Sequence, residues 1–289
     1  MRYNSRPSGA LSASAKWGLV LVAIAAIAAV AYFMVKDEVN VAPKLQNLPA
    51  PVAAQPAAVA EPAKPAAKAV YNEPKPAPIP EPLPDLNQSD ATVIAALKGL
   101  NINGLVEMVI PEEILRKFVL AVKQVEEGNL LVDYRPITSP QGAFVADSFN
   151  VKVSGGDLGE QQEVEQFRVS PKNYLRYTLY VRVLAALDSD AAMSVYKRFY
   201  PLMNQAYQDM GVAGDNFHSV MIRAIDKVLA APDASGDLLL VRPKVYYEFA
   251  DPALEHLPGV YKLLLRMGPD NEAQIKSSLK NIRTRLLQS

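Results

Sequence analysis

The chain has 289 residues, of which 30 are basic and 30 acidic, so its formal net charge is zero. Nucleic-acid binders usually carry a basic excess, because phosphate neutralisation supplies most of their affinity, and we expect no nucleic-acid partner here. The chain has no cysteine, which excludes disulfides, thiolate zinc sites and cysteine nucleophiles.

Residues 17–35 form an apolar run without charge or proline. At 1.5 Å per residue a helix of this length spans roughly 28 Å, close to the hydrocarbon core of a bilayer. Arg2, Arg6 and Lys16 precede the run, and basic residues favour the cytoplasmic side. The pattern predicts a cytoplasmic basic tail at 1–16, a transmembrane helix in the cytoplasmic (inner) membrane, and a periplasmic or otherwise extracytoplasmic C-terminal region.

The same run has a second interpretation as a cleavable signal peptide. Ala29-Val30-Ala31 has the small residues of a cleavage site. The apolar run continues past that site to Val35, which favours the anchor. Both interpretations export the rest of the chain and differ only in whether it stays tethered.

Residues 36–85 are rich in proline and alanine, and twelve of the 23 prolines lie between Val41 and Asp85. Each proline fixes φ, removes a backbone donor and keeps the residue before it out of the helical region. The composition predicts a disordered, extended linker. A spacer is the simplest role. The alternatives are a ligand for a proline-recognising partner or an energy-coupling rod of a bacterial envelope.

Residues 86–289 are long enough for one globular domain. Capping residues followed by apolar residues at helical spacing predict helices that open at Ser89-Asp90, Pro111, Ser170-Pro171, Asp188 or Ser189, Phe217, Asp251-Pro252 and after Gly268-Pro269. Alternating patterns predict strands at Ala143–Val153, Gln162–Val169, Leu238–Arg242 and Lys244–Phe249. The predicted fold is mostly α, an α-rich α+β domain with a few short strands.

Two predicted helices contain proline. Apolar residues recur at helical spacing from Ala192 to Met210, and Pro201 inside this run is expected to kink the helix. The helix that opens at Asp251 is expected to break at Pro258-Gly259, because proline and glycine both disfavour a helix interior.

Several distinctive stretches follow one another along the domain: Asn173-Tyr174-Leu175-Arg176-Tyr177, Tyr200-Pro201-Leu202, Leu240-Val241-Arg242-Pro243, Phe249-Ala250-Asp251-Pro252 and Leu264-Leu265-Arg266-Met267-Gly268-Pro269. Together they resemble the bacterial membrane-anchored family catalogued as domain of unknown function 3014, over roughly residues 83–287. The resemblance implies a bacterial envelope protein. It implies no activity and no functional residue, because the family has none assigned.

No constellation of residues in the sequence favours a particular enzyme. Neither His218 nor His256 lies near a recognisable partner motif. Two S-x-x-K matches, Ser194–Lys197 and Ser277–Lys280, lack the K-T-G element that accompanies them in acyl-enzyme formation. Phosphate-binding glycine loops, H-E-x-x-H and EF-hand spacings are also missing from the sequence. We therefore predict no catalytic residue, no cofactor and no metal site.

Tyrosines and arginines recur together in the second half of the domain. This combination is typical of binding surfaces, because tyrosine offers a large apolar area with a polar tip. The candidate binding residues are Arg176, Tyr177, Arg198, Tyr200, Tyr207 and Arg242. The competing interpretation is a helix–helix core whose hydroxyls reach the rim while the arginines extend to solvent.

The sequence as a whole favours a single-pass membrane protein whose outer domain is a non-catalytic interaction or scaffold module. Its expected partners are the membrane, through the anchor helix, and an envelope protein or cell-wall component. The alternative is an enzyme that acts on cell-wall material or on an envelope protein. A deep cleft with convergent acid–base groups would favour the enzyme.

Overall fold

A computed structural model describes residues 68–75, 82–131, 133–155, 160–233 and 238–289. Within these ranges no helix combines the length and the apolar character that a bilayer crossing requires. The predicted basic tail at 1–16 and transmembrane helix at 17–35 lie outside the described residues, as does the predicted linker up to residue 67.

The described chain is mostly helical. Its helices are α1 (Asp90–Lys98), α2 (Leu105–Met108), α3 (Ile114–Glu126), α4 (Thr178–Ala186), α5 (Asp190–Gln208), α6 (Phe217–Leu229), α7 (Pro252–Glu255), α8 (Gly259–Met267) and α9 (Pro269–Leu287), with 3-10 turns at Leu86–Gln88 and Pro171–Tyr177. Ser189 caps α5, its hydroxyl accepting a hydrogen bond from the Ala192 amide. The helix expected at Pro111 begins three residues later, and the one expected at Pro171 opens as a 3-10 turn.

The strands of the described residues form one antiparallel sheet in the order β1-β2-β3-β4. They are β1 (Ala146–Gly155), β2 (Glu160–Val169), β3 (Leu239–Val241) and β4 (Glu248–Phe249). The last two are shorter than predicted because the chain turns between them at Pro243, which has no amide hydrogen for a ladder. The expectation of a mostly helical domain with a few short strands is confirmed.

Helices α3, α5 and α6 pack around the main apolar core, and α9 closes it against α4 and α6. Phe118 of α3 and Phe217 of α6 are fully buried, with ring centroids 5.8 Å apart in an edge-to-face arrangement. Helix α5 runs as one helix through Pro201, which lies on its exposed side. The helix continues past this proline to Gln208.

A smaller apolar cluster lies under the sheet. It contains Val169, Leu238, Leu240, Phe249 and Leu265. The Arg266 guanidinium of α8 lies 5.5 Å from the ring centroid of Phe144 and 5.0 Å from that of Phe249, and it donates to the Tyr247 carbonyl at 2.9 Å. This arginine joins the sheet to the helices.

Candidate functional site

The three tyrosines predicted as binding residues lie inside the domain. Tyr177 and Tyr207 are 1% exposed and Tyr200 is 5% exposed. Among the predicted arginines, Arg198 places its guanidinium 5.5 Å from the ring centroid of Phe199 on the same helix. The rings of these three tyrosines are therefore not open to a partner at the surface.

The other two predicted arginines hold turns of the backbone. Arg176 donates to the carbonyl oxygens of Gln141 and Gly142 in the loop before β1. Arg242 donates to the carbonyl oxygen of Val245 at 3.3 Å, across the turn between β3 and β4. The three predicted arginines lie on different elements: Arg176 in the 3-10 turn before α4, Arg198 in α5 and Arg242 directly after β3.

An extended segment from the predicted linker lies against the domain. Residues 68–75, called the strap below, have no regular secondary structure and cross the beginning of α6. Pro74 is buried and Tyr71 is half-buried, packing on the main core. Val70 is 61% exposed. Composition alone placed these residues in the disordered linker, and the structure places them on the domain.

Two side chains at the start of α6 bind the main chain of Tyr71. Asn216 caps the helix, its side-chain oxygen accepting from the Ser219 amide at 2.8 Å. Its side-chain nitrogen donates to the Tyr71 carbonyl at 3.0 Å. The Ser219 hydroxyl accepts from the Tyr71 amide at 2.7 Å and donates to the Tyr71 carbonyl at 3.3 Å. Both main-chain groups of Tyr71 are therefore satisfied, as they would be by a neighbouring β-strand.

Arg223, one helical turn further along α6, binds the strap at a second main-chain position. Its guanidinium donates to the carbonyl oxygen of Ala69. The same guanidinium forms ion pairs with Glu126 of α3, at 2.8 Å between Nε and Oε1, and with Asp215. Although burial opposes the charge, hydrogen bonds to Asp215 and Glu126 raise the pKa of Arg223. The guanidinium is thus a fixed, permanently charged donor.

Glu126 is the charged centre of this surface. Its side chain is 6% exposed and accepts from Lys123 at 2.8 Å and from Lys68 of the strap at 3.0 Å, in addition to Arg223. Burial opposes ionisation, but the hydrogen bonds from Lys123, Arg223 and Lys68 outweigh it and lower the pKa of Glu126 to about 2. The strap lysine therefore meets a carboxylate that stays ionised near neutral pH.

A buried aromatic and imidazole cluster lies beneath the other end of the strap. The Tyr196 hydroxyl is 2.8 Å from Nδ1 of His218, and both side chains are buried. Burial, with the charge of Lys197, lowers the pKa of His218 to about 4, so the ring is neutral at pH 7. Burial, followed by the carboxylate of Glu73 on the strap, raises the pKa of Tyr200.

The groove defined by Glu126, Asp215, Asn216, Ser219 and Arg223 is called the strap groove below. Two predicted residues support it from inside. Tyr207 donates from its hydroxyl to Asp215 at 3.3 Å, and Tyr200 faces Glu73. Arg176 and Arg242 bind carbonyl oxygens of other turns, and Arg198 lies against the ring of Phe199.

Sequence reasoning missed the groove residues themselves. Asn216, Ser219 and Arg223 have the spacing i, i+3 and i+7, which puts them on one face of a helix. They form a polar stripe on a helix that is otherwise apolar on most of its surface. This stripe was the available signal, because a stripe of donors and acceptors along one helix face is suited to binding another polypeptide segment.

The groove is built to hold a peptide backbone. Asn216, Ser219 and Arg223 bind main-chain atoms of the strap, and Glu126 binds the side chain of Lys68. Across the described ranges no group of three or more histidine, aspartate or glutamate side chains is placed to hold a metal ion.

The chain matches the model of a known protein family. A family model described as protein of unknown function (DUF3014) matches residues 114–283. No curated protein and no solved structure matches the chain. The match confirms the family resemblance predicted from the sequence. It includes all five residues of the strap groove, whereas the strap lies before it.

Proposed function

We propose that this chain is a non-catalytic interaction or scaffold module tethered to a membrane. The chain belongs to the DUF3014 family of proteins of unknown function. The observation that carries the proposal is the capture of the strap through its main-chain atoms by Asn216, Ser219 and Arg223. A groove that binds backbone groups takes an extended peptide, with side-chain pockets adding selectivity.

The tether belongs to the same proposal and rests on the sequence. The apolar run at 17–35 has the length of a bilayer-spanning helix, and the basic residues before it favour a cytoplasmic N-terminus. The linker from residue 36 to residue 67 would then reach at most roughly 100 Å at ~3.1 Å per residue. The domain would work in the periplasm or another extracytoplasmic space, within that distance of the membrane.

A photo-crosslinking residue in place of Val70 tests the interaction role. Val70 lies on the strap and is 61% exposed, so the probe borders the groove without replacing a contact. Intact protein in its native membrane is irradiated and the products are identified by mass spectrometry. The control probe replaces Leu175, which is 78% exposed in the 3-10 turn before α4. We expect discrete products from position 70 only, and a lack of any product there contradicts the proposal.

A reporter fused after Ser289 that is active only outside the cytoplasm tests the tether. We expect an active reporter and a protein that stays in the membrane fraction at high salt, because a hydrophobic span is insensitive to ionic strength. An inactive exported reporter would invert the orientation. A soluble product that begins near Tyr32 would show that the apolar run is cleaved.

A further inference from the structure

We propose that the strap groove also binds the strap of a second copy of this chain, so that copies tethered in one membrane pair by exchanging residues 68–75. This inference rests on the proposed function, because it names the partner of the same groove. Exchange of an identical segment between protomers is a low-cost route to a dimer, since the contacts already exist within each copy.

The chemistry of the strap matches the groove at several positions. Lys68 meets the buried carboxylate of Glu126, and Tyr71 supplies both an amide and a carbonyl to α6. Glu73 lies near Tyr200, and Pro74 is buried. Every copy of the chain carries this sequence, so a second copy brings a segment that satisfies all of these positions.

The contacts of the groove do not depend on which copy supplies the strap. Residues 68–75 make the hydrogen bonds, and residues 76–81, which join the strap to the domain, lie outside the described residues. The two arrangements therefore differ in local concentration rather than in contacts. A strap joined to its own groove by a short stretch of chain has an effective concentration on the order of millimolar. Tethering to one bilayer raises the concentration of neighbouring copies in the same way.

The strap can leave the groove without unfolding the domain. Most of its residues are exposed, and only Pro74 is buried. The cap of α6 is made by Asn216 and Ser219 themselves, so it remains when the strap departs. Segments held by a few exposed hydrogen bonds open at a lower free energy than the core. The groove is therefore accessible to a strap from a neighbouring copy.

Two substitutions test the strap and the groove separately, one by altering the strap and the other by altering the groove. Tyr71→Pro removes the amide that Ser219 accepts from and leaves every groove residue intact. Asn216→Asp keeps an oxygen that caps α6 but replaces the amide donor with a carboxylate facing the Tyr71 carbonyl. The first chain has a groove and no competent strap, and the second has a strap and no competent groove. Neither can close on itself.

Mixing the two variants tests the exchange. Full-length chains with different fluorescent labels are reconstituted together in one bilayer, and energy transfer reports their association. We expect the mixture of Tyr71→Pro and Asn216→Asp chains to associate, each variant alone to show no association, and Val70→Ala to behave as wild type because that side chain is exposed. A mixture that associates no more than either variant alone overturns the inference.

A second measurement needs no substitution and guards against variants that fold poorly. A synthetic peptide of residues 66–77 is added to wild-type chains in the same bilayer. We expect it to dissolve their association as its concentration rises, and wild-type pairs that resist the peptide count against exchange. If both measurements fail while the probe at Val70 captures a different protein, the interaction module stands and the second copy is the wrong partner. If the probe also captures nothing, the proposed function fails as well.

Discussion

The two faces of helix α6 differ in what they bind. The inward face is apolar and fully buried at Val220, Ile222, Ala224, Ile225 and Val228. The stripe of Asn216, Ser219 and Arg223 is polar and binds the backbone of another segment. The inward face contacts side chains that stay in place in the folded domain. The polar stripe contacts main-chain groups of the strap, which are groups that every peptide has.

The two kinds of contact also differ in energy. Each large apolar side chain buried in the core contributes about 1.5 to 3 kcal/mol. A hydrogen bond exchanged with water contributes a net of about 1 kcal/mol. Stability is therefore concentrated on the inward face, and the strap contributes little to it. Substitutions on the inward face should therefore change the global free energy of unfolding. Substitutions in the polar stripe should mainly change how firmly the strap is bound.

The largest effect is expected from the core. Phe118→Ala removes a fully buried ring that packs edge-to-face on Phe217. We expect the free energy of unfolding to fall by about 3 to 5 kcal/mol, since the lost burial is joined by a cavity. Denaturant unfolding followed by circular dichroism measures it. Leu287→Ala is the control, because that residue is 46% exposed, and an equal loss at both positions would contradict the assignment of the core.

Acid should weaken the domain through His218 of α6, whose side chain is buried. Its pKa is lowered to about 4 by burial, from an ordinary value of 6.5, so the unfolded chain takes up this proton first as the pH falls. The stability is present above pH 6.5 and is lost progressively down to pH 4, by about 3 kcal/mol. Unfolding measured across this range should have a shallower pH dependence in His218→Gln. An unchanged slope would show that the ring does not titrate in this way.

A smaller loss is expected from the charged floor of the strap groove. Glu126→Gln leaves Lys123 and Arg223 without their shared carboxylate, and we expect a loss of about 2 kcal/mol. The pKa of Glu126 is lowered to about 2, so its contribution is present above about pH 4.5 and fades as the pH falls toward 2. The difference between wild type and variant should shrink over that window.

The matched control for this carboxylate is Glu127→Gln. Glu127 pairs with Lys123 at 2.9 Å, but its side chain is 43% exposed. An exposed ion pair contributes about 0.5 kcal/mol. Equal losses for the two glutamine variants would mean that the burial of Glu126 has no energetic consequence.

The inward face was predictable from the sequence and the strap was not. The apolar spacing that starts at Phe217 predicts α6 with its observed first residue, because apolar periodicity and caps are local signals. The strap depends on hydrogen bonds between residues 145 to 148 positions apart, which no local pattern encodes. Its one proline, Pro74, disfavours helix and sheet, and the amide and carbonyl of Tyr71 bind side chains of α6 instead.

The candidate binding residues show the same difference between what a sequence pattern predicts and what depends on the fold. Tyrosine is common both at binding surfaces and in cores, and the sequence does not distinguish these two positions for Tyr200 and Tyr207. Their rings are buried while their hydroxyl ends lie beneath the strap, near Glu73 and Asp215. Arg176 and Arg242 bind nearby carbonyls instead, because a flexible cation finds a local acceptor as readily as a distant one.

The smallest effect on stability, and the sharpest on the strap, is expected from Ser219→Ala. The hydroxyl binds both main-chain groups of Tyr71, while the cap of α6 uses the Ser219 amide, which the substitution retains. We expect the unfolding free energy to change by less than about 1 kcal/mol, because the hydroxyl contacts only the strap. Hydrogen exchange of the Tyr71 amide should become about tenfold faster, since each 1.4 kcal/mol of local stability is a factor of ten.

Mass spectrometry of peptides from the strap and from α6 measures both exchange rates in the same sample. The amides of the inward face, from Val220 to Val228, should keep their wild-type rates, because their protection depends on the core rather than on the strap. Val70→Ala should leave both regions unchanged, since that side chain is exposed. Faster exchange throughout α6 in Ser219→Ala would mean that the strap is part of the folding unit. The two faces of the helix would then be one cooperative structure, and strap exchange between copies would require opening the domain itself.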